Sequence, residues 1–121
     1  MANNQPVGVA YSDPALTAFY LNAPVTKTAS FTLGDSENYI VANGSAANVS
    51  VTLPSGSGFI GRTITIKNLS GTYTVISASS NVKPLTSATA GTAILAATAG
   101  KWATLFCEDG TNWVVVAAAY Y

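Results

Sequence analysis

The sequence predicts an all-β fold, a small antiparallel sandwich or barrel of seven or eight short strands that follows an extended N-terminal arm. From residue 29 onward, apolar and polar residues alternate with a period of two, and turn-forming residues interrupt the alternation at short intervals. Before residue 28, three prolines recur among aromatic residues, and each proline disfavours a helix at its own position. We therefore divide the chain into an arm, residues 1–28, and a β domain, residues 29–121.

Three predicted strands open the β domain, and they cover residues 29–33, 38–42 and 48–53. The third strand alternates most clearly, because Val49, Val51 and Leu53 share one face while the residues between them are polar. Residues 54–58 are rich in glycine and serine and begin with proline, which predicts a loop.

The fourth and fifth predicted strands, residues 62–68 and 73–77, lie close together in the chain. In the fourth, Ile64 and Ile66 are expected to point inward and the residues between them outward. The four residues that join the two strands, 69–72, include a serine and a glycine, which favour a turn. This pattern predicts an antiparallel hairpin.

The last three predicted strands cover residues 92–97, 102–108 and 113–118, and residues 81–84, which end in proline, break the chain before them. Asp109 and Gly110 form a strong hairpin-turn signal between the final two strands.

Charged side chains are rare in this chain. Five Lys and Arg residues balance five Asp and Glu residues, and charged residues make up 8% of the sequence, compared with about 25% in an ordinary globular domain. The cations are scattered singly and form no basic stripe, so we expect no nucleic-acid partner. The longest apolar runs, such as residues 114–121, are much shorter than the roughly 20 residues that cross a bilayer, so we expect no membrane partner.

No pattern in the sequence predicts catalysis, a metal site or a cofactor. The chain lacks histidine, the usual general base. Its paired acids, at residues 35–37 and 108–109, lie in predicted turns and lack the spacing of a calcium loop. Residues 56–61 match the dinucleotide-binding pattern G-x-G-x-x-G, but a predicted strand follows them and residues 76–81 include no acid. We interpret residues 56–61 as a loop and expect a protein that is not an enzyme.

The single cysteine, Cys107, has no partner for a disulfide within the chain, and we interpret it as a small buried hydrophobic residue. Alanine is frequent at residues 88–99 and 117–119, which predicts a thin core because alanine buries little area. We therefore expect stability to depend on association with other subunits. The N-terminus has neither a basic start nor an apolar core, so we expect synthesis in a cytoplasm.

The predicted arm is too apolar to be a solvated tail, and its larger apolar side chains need a surface to lie against. These candidate capsid or inter-subunit contact residues are Val7, Val9, Tyr11, Leu16, Phe19, Tyr20 and Leu21. Residues 15–21 have room for one or two helical turns, but an extended conformation is the favoured interpretation for most of the arm.

Trp102 and Trp113 flank the final predicted turn. Aromatic rings can stack on sugar rings, which makes these two residues candidate glycan contacts. Tryptophan also buries a large area, and the chain has few other large side chains. We favour the second interpretation, in which each tryptophan anchors a core or an interface.

Three segments together resemble a known family: residues 48–54, an alternating strand that ends in Leu-Pro; residues 61–68, Gly-Arg-Thr-Ile-Thr-Ile-Lys-Asn; and residues 109–113, Asp-Gly-Thr-Asn-Trp. They resemble a β module of tailed-bacteriophage structural proteins, found in trimeric head decoration (cement) proteins, head fibres and tail fibres. The resemblance covers residues 31–116, and the arm has no such match.

The resemblance implies a virion structural protein without cofactors, made in the host cytoplasm and placed on the outer capsid surface. It implies a homotrimer that binds the major capsid protein and stabilises the phage head. The alternative that it leaves open is a head-fibre or tail-fibre module that binds receptor glycans. The two alternatives share a fold and differ in the surface that each would use.

Overall fold

The computed structural model describes residues 22–119, which form ten short β-strands and one 3₁₀ turn at Ser57–Phe59. In chain order the strands are β1 (Val25–Lys27), β2 (Phe31–Thr32), β3 (Tyr39–Ala42), β4 (Val49–Thr52), β5 (Thr63–Asn68), β6 (Val75–Ser77), β7 (Val82–Lys83), β8 (Ala93–Leu95), β9 (Trp102–Cys107) and β10 (Trp113–Ala119). The all-β class predicted from the alternation is confirmed.

The strands form two sheets, as predicted for a sandwich. One sheet has six strands in the order β1-β3-β5-β9-β10-β7, and the other has four in the order β2-β4-β6-β8. From β1 to β8 the chain alternates between the two sheets, with odd-numbered strands in the larger sheet and even-numbered strands in the smaller. Each sheet turns one face toward a shared core and the other face away from it.

The strand partners differ from those expected for a purely antiparallel fold. Strands β1, β3 and β5 are parallel neighbours, and so are β2, β4 and β6. The chain therefore makes three successive coils, each with one strand in each sheet, and the coils stack in parallel. Antiparallel pairing occurs between β5 and β9, between β9 and β10, and between β6 and β8.

The hairpin predicted for residues 62–68 and 73–77 is wrong. Strand β5 lies in the six-stranded sheet and β6 in the four-stranded sheet, so the turn between them carries the chain across the core. A period of two shows that a segment is a strand with two different faces, but it carries no information about which strand lies beside it. A short turn can join two neighbouring strands of one sheet, or it can carry the chain from one sheet to the other.

Two strands lie where none was predicted. Strand β1 falls inside the predicted arm and pairs in parallel with β3, so Val25–Lys27 belongs to the β domain. Strand β7 lies in the predicted break and pairs with β10. Both are two or three residues long, adjoin a proline and lie at sheet edges, where proline is tolerated. Segments this short show too little alternation to be recognised.

The core between the sheets is fuller than the alanine content suggests. Seventeen hydrophobic residues are buried in one cluster, and the largest of them include Trp113, Ile40, Ile64, Ile66 and Leu105. Ala42 and Ala103 are the two alanines of the described chain that are buried. The expectation of a thin core is therefore wrong, because most of the other alanines lie in loops or on outward-facing positions.

Candidate functional site

Arg62 holds the loop between β2 and β3. Its Nη2 atom donates hydrogen bonds to the carbonyl oxygens of Gly34, at 2.7 Å, and of Glu37, at 2.8 Å. A guanidinium group suits this task because it offers several donors in a fixed plane. Arg62 thereby ties the start of β5 to the loop that leads into the neighbouring strand β3.

Glu37 joins the same loop to the edge strand β1. Its carboxylate lies 2.8 Å from Lys27 Nζ and accepts a hydrogen bond from the Gly34 amide at 2.8 Å. The hydrogen bond from Lys27, together with the one from the Gly34 amide, lowers the pKa of Glu37 below the ordinary value of 4.5. The Lys27 ammonium also lies 4.7 Å from the centre of the Phe31 ring.

Acid is expected to weaken the fold through Glu37. Because its folded-state pKa is lowered, the unfolded state binds more protons in the acid range, so the stabilisation is present above pH 4.5 and is lost as pH falls through the folded-state pKa. Asp109, with a pKa of about 2, acts in the same direction. We expect the urea midpoint of Glu37→Gln to vary less between pH 6 and pH 3 than that of the parent chain. Lys27→Met should reduce the pH dependence as well, and an unchanged slope in both variants would exclude this contribution.

Asn68, the last residue of β5, has a fully buried side chain with three hydrogen bonds. Its Nδ2 donates to the carbonyl oxygens of Tyr73 and Ala96, each at 2.9 Å, and its Oδ1 accepts from the Ser70 amide at 3.0 Å. These bonds fix the turn that carries the chain from one sheet to the other. The alternation predicts Asn68 only as the end of a strand, although an amide at an inward position of an alternating strand is a signal of such a role.

Replacing Asn68 by alanine is expected to lower the free energy of unfolding by about 2–4 kcal/mol, because two carbonyl oxygens and one amide would lose their buried partner. Urea unfolding followed by circular dichroism measures the change. Asn43→Ala, at an exposed residue that follows β3, is the matched control and should stay within about 0.5 kcal/mol of the parent. Equal effects of the two substitutions would contradict the role assigned to Asn68.

The turn before β10 is organised by Asp109. Its Oδ1 accepts hydrogen bonds from the amides of Thr111, at 2.9 Å, and Asn112, at 2.7 Å. The Asn112 amide and then the Thr111 amide account for most of the lowering of the Asp109 pKa to about 2. This is the turn chemistry that the sequence predicts for paired acids at this position.

The glycine-rich segment predicted to be a loop, residues 56–61, is confirmed as one, since it contains only the 3₁₀ turn Ser57–Phe59 and strand β5 follows it. Gly56 donates a hydrogen bond to the carbonyl oxygen of Gly110 at 2.6 Å. Gly110 has a φ of +85°, and a Cβ atom there would lie 3.0 Å from the Gly56 carbonyl group. The two glycines let the loop after β4 contact the turn before β10.

Trp113 is fully buried in the core, and its Nε1 donates to the carbonyl oxygen of Pro54 at 3.1 Å. The ring is enclosed between the sheets, so the glycan contact considered for Trp113 is wrong and its interpretation as a core anchor is confirmed. Cys107 is also buried, as predicted. Trp102 lies on the face of β9 opposite to Cys107, and its side chain is only partly buried.

The face of the six-stranded sheet that points away from the core is called the outer sheet face. Its side chains are aromatic, aliphatic or threonine, apart from two lysines. They are Thr26, Tyr39, Val41, Thr63, Thr65, Lys67, Lys83, Trp102, Thr104, Phe106, Val114, Val116, Ala117 and Ala119, and a β-bulge between Val115 and Ala117 places the last two opposite Thr104 and Trp102. Among these, Phe106 is the cross-strand neighbour of Thr63 and Val114, and Trp102 is the neighbour of Lys67.

The four-stranded sheet presents a different surface to the outside. Its outward-facing residues are mostly small or hydroxylated, and they are Thr32, Ser50, Thr52, Ile76 and Ala93. Small hydroxyl side chains are well solvated, whereas a row of large apolar side chains is not. The apolar outward surface of this sandwich therefore lies mainly on the larger sheet.

Within the outer sheet face, a groove of about 680 Å³ lies over β3 and β5. Its walls include Tyr39, Arg62, Thr63 and Thr65, and Asn22 contributes at the point where the described chain begins. Tyr39 is 55% exposed. An aromatic ring and threonine hydroxyls thus line an open groove beside the edge strand β1.

Other kinds of site are not found in the described part of the chain. Residues 22–119 contain no group of three or more histidine, cysteine, aspartate or glutamate residues placed to hold a metal ion. They also contain no helix long and apolar enough to cross a bilayer. The arm residues predicted to make contacts, from Val7 to Leu21, lie outside the described residues.

Comparison with known proteins does not assign the chain to a family: no protein-family model matches it, and a search of curated proteins finds no significant match. The candidate functional surface therefore rests on the geometry of the chain itself. The segments around Arg62, Asn68, Asp109 and Trp113 all hold strands and turns in place. The outer sheet face is the surface that these internal contacts leave available.

Proposed function

We propose that this protein is a virion structural protein, a capsid decoration (cement) protein that binds and stabilises a phage head as a homotrimer. The observation that supports it best is the outer sheet face, which carries Trp102, Phe106, Val114 and Val116 on two neighbouring strands. Val116 is 44% exposed and the other three side chains are partly exposed, and exposed apolar groups that lie together mark interaction surfaces. The resemblance of residues 31–116 to phage structural modules supplies the virion setting.

A cement protein adds stability to a shell by burying surface. The six strands of the outer sheet face are two to seven residues long, and at about 3.3 Å per residue and about 4.8 Å between strands they span roughly 450 Å² in projection. A stable interface buries about 800 Å² of accessible surface on each partner, so this face would supply part of such an interface. Contact between copies through β9 and β10 would use nearly half of the face and would bring three arms to one assembly.

The homotrimer is tested by the mass of the protein in solution. We expect sedimentation equilibrium at micromolar concentration to give three times the chain mass of 12.3 kDa. The equilibrium between trimer and single chains depends on protein concentration, so a dilution series should show that the trimer dissociates while its chains stay folded. A monomer throughout the micromolar range would contradict the proposal.

The arm is proposed to contact the major capsid protein or a neighbouring subunit. Deleting residues 2–24 leaves the whole of β1, which begins at Val25, and should abolish binding of the protein to empty shells in a co-sedimentation assay. Deleting residues 2–5, which removes no large apolar side chain, is the control and should leave binding unchanged. Unchanged affinity of the longer deletion would show that the arm is not a capsid contact.

The alternative function is a head-fibre or tail-fibre module that binds receptor glycans, and one observation favours it. The Trp102 ring is partly exposed on the outer sheet face, where Thr104 and Lys67 lie on the same side of the sheet. Stacking on a sugar would use the ring, and the neighbouring polar groups would bind hydroxyls. A glycan-array signal that Trp102→Ala removes and Trp102→Phe keeps would favour the fibre over the cement protein.

A further inference from the structure

The loop between β3 and β4, residues 43–48, begins with an asparagine followed by a glycine. Asn43 directly follows β3 and is exposed. It is the only asparagine in the sequence that precedes a glycine. In such a pair the peptide nitrogen of the glycine can reach the side-chain carbonyl carbon of the asparagine, and glycine has no side chain to hinder the approach. The pair is therefore a candidate for a reaction between a side chain and the backbone.

The fold requires the glycine of this pair. A Cβ atom on Gly44 would lie 2.6 Å from the carbonyl oxygen of Ala47 and 3.1 Å from Cβ of Tyr73, so a larger residue would clash with the backbone of its own loop. Within residues 22–119, no hydrogen bond engages the Asn43 side chain or the Gly44 amide. The packing of the loop thus keeps an unhindered nitrogen next to a side chain that no partner holds.

Two comparable side chains of the described residues are held by hydrogen bonds. Asn48, at the other end of the same loop, accepts a bond from the Thr74 amide at 2.9 Å, and the β-branched Val49 follows it. Asp109 also precedes a glycine, but amides of its own turn already bind its carboxylate. A side chain fixed in this way must first break its bonds before it can react. Asn43 differs from both in this respect.

We propose that Asn43 is a site of spontaneous deamidation. The Gly44 nitrogen attacks the side-chain Cγ atom of Asn43, so that an N–Cγ bond forms, the Cγ–Nδ2 bond breaks, and ammonia leaves with the proton of the Gly44 amide. Water then opens the resulting cyclic imide at either of its two carbonyl groups. One product is aspartate, and the other is isoaspartate, in which the main chain runs through Cβ and Cγ. Water is the only other reactant, and no oxidant or cofactor takes part.

The isoaspartate product is expected to loosen β1. The Asn43 amide donates to the carbonyl oxygen of Lys27 at 2.9 Å, and the Ser45 amide donates to that of Thr28 at 3.2 Å, so these two bonds continue the pairing of β1 with β3. Isoaspartate adds one atom to the main chain between the two donors, and the two bonds no longer fit the same register. The modification would therefore act on the edge strand to which the N-terminal arm is attached. This inference is independent of the virion role.

The reaction is tested by incubating the full chain in mildly alkaline buffer and locating the products by peptide mass spectrometry. An isoaspartyl methyltransferase with a labelled methyl donor marks the isoaspartate. We expect conversion at Asn43, none at Asn48 over the same time, and loss of the methylation signal in Asn43→Gln. The half-time should be comparable to that of a synthetic peptide of residues 39–48. A folded chain that reacts an order of magnitude more slowly than the peptide, or reacts equally at Asn48, would overturn the proposal.

The structural consequence is measured on the isoaspartyl form, which its additional negative charge separates from the parent on an ion-exchange column. We expect its amides at residues 43 and 45 to exchange hydrogen faster than those of the parent, and its urea midpoint to be lower. Asn43→Asp is the matched control, because it has the same charge with an ordinary main chain, and it should keep the exchange rates of the parent. Equal exchange rates in the isoaspartyl form and the control would show that β1 is not loosened.

Discussion

Trp113→Ala is expected to lower the free energy of unfolding by about 3–5 kcal/mol, because Trp113 is the largest fully buried side chain among residues 22–119. The indole ring is fully buried between the sheets, and its Nε1 bonds to the Pro54 carbonyl oxygen. The substitution would leave a cavity and a carbonyl oxygen without its partner. Since a small domain has about 5–15 kcal/mol of stability in total, the variant should be largely unfolded at moderate urea concentration.

Two further variants separate the stability that the buried Trp113 ring contributes from the contribution of its hydrogen bond and from the effect of removing any tryptophan ring. Trp113→Phe keeps most of the apolar volume and should lose less than Trp113→Ala. Trp102→Ala removes the same ring from a partly exposed position on the outer sheet face and should cost about 1 kcal/mol in the isolated domain. If Trp102→Ala and Trp113→Ala proved equally destabilising, the assignment of Trp113 as the core anchor would be wrong.

Val116→Lys is expected to dissociate the proposed trimer without unfolding the chain. Val116 is 44% exposed on β10, so a lysine there meets water in the single subunit. In a contact between copies the ammonium group would be buried without a partner, at a cost of about 3–5 kcal/mol, which corresponds to a loss of association of about 10²- to 4 × 10³-fold. Sedimentation equilibrium at a fixed micromolar concentration should give the mass of one chain.

Ile76→Lys is the matched control for this experiment. Ile76 is a partly exposed aliphatic residue on the outward face of the four-stranded sheet, on the side of the sandwich opposite to Val116. The control should keep the mass of the parent protein. If Val116→Lys remains a trimer, the outer sheet face is not the contact between copies, and another surface must carry the association.

Much of the local structure could be predicted from the sequence. The alternation around Ile64 and Ile66 correctly predicts a strand with a buried face, and β5 covers nearly the predicted residues. The same holds for β9 and β10, whose Asp-Gly turn does join an antiparallel pair. Side-chain alternation is a property of the extended chain itself, so it appears in the sequence wherever a strand has one buried face.

The order of the strands within each sheet was harder to predict from the sequence. The parallel stacking of β1, β3 and β5 brings together segments that are separated by a strand of the other sheet. Parallel and antiparallel neighbours place similar apolar side chains on the inner face, so the pattern of Ile40, Ile64 and Ile66 is compatible with both. Partner choice depends on how whole coils pack, and no short segment of sequence encodes that separately.

The candidate site likewise combines features that the sequence predicts with contacts that only the structure shows. Arg62 and Asn68 stand in a strand that the sequence predicts, but the contacts of Arg62 with Gly34 and of Asn68 with Ala96 span 28 residues each. The size of Trp113 predicts an anchor, and its burial in the structure excludes the glycan alternative for it. The outer sheet face likewise forms only when six strands lie side by side.

The sequence by itself determined that this chain is an all-β protein with few charges, no histidine and one cysteine, because composition and the period of two need no knowledge of contacts. Only the tertiary structure decided which strands are neighbours and which of two apolar faces is enclosed. Both faces of β9 carry large apolar side chains, Leu105 on one side and Phe106 on the other. The side covered by the second sheet became the core, and the side left uncovered is the surface through which we propose that the protein associates.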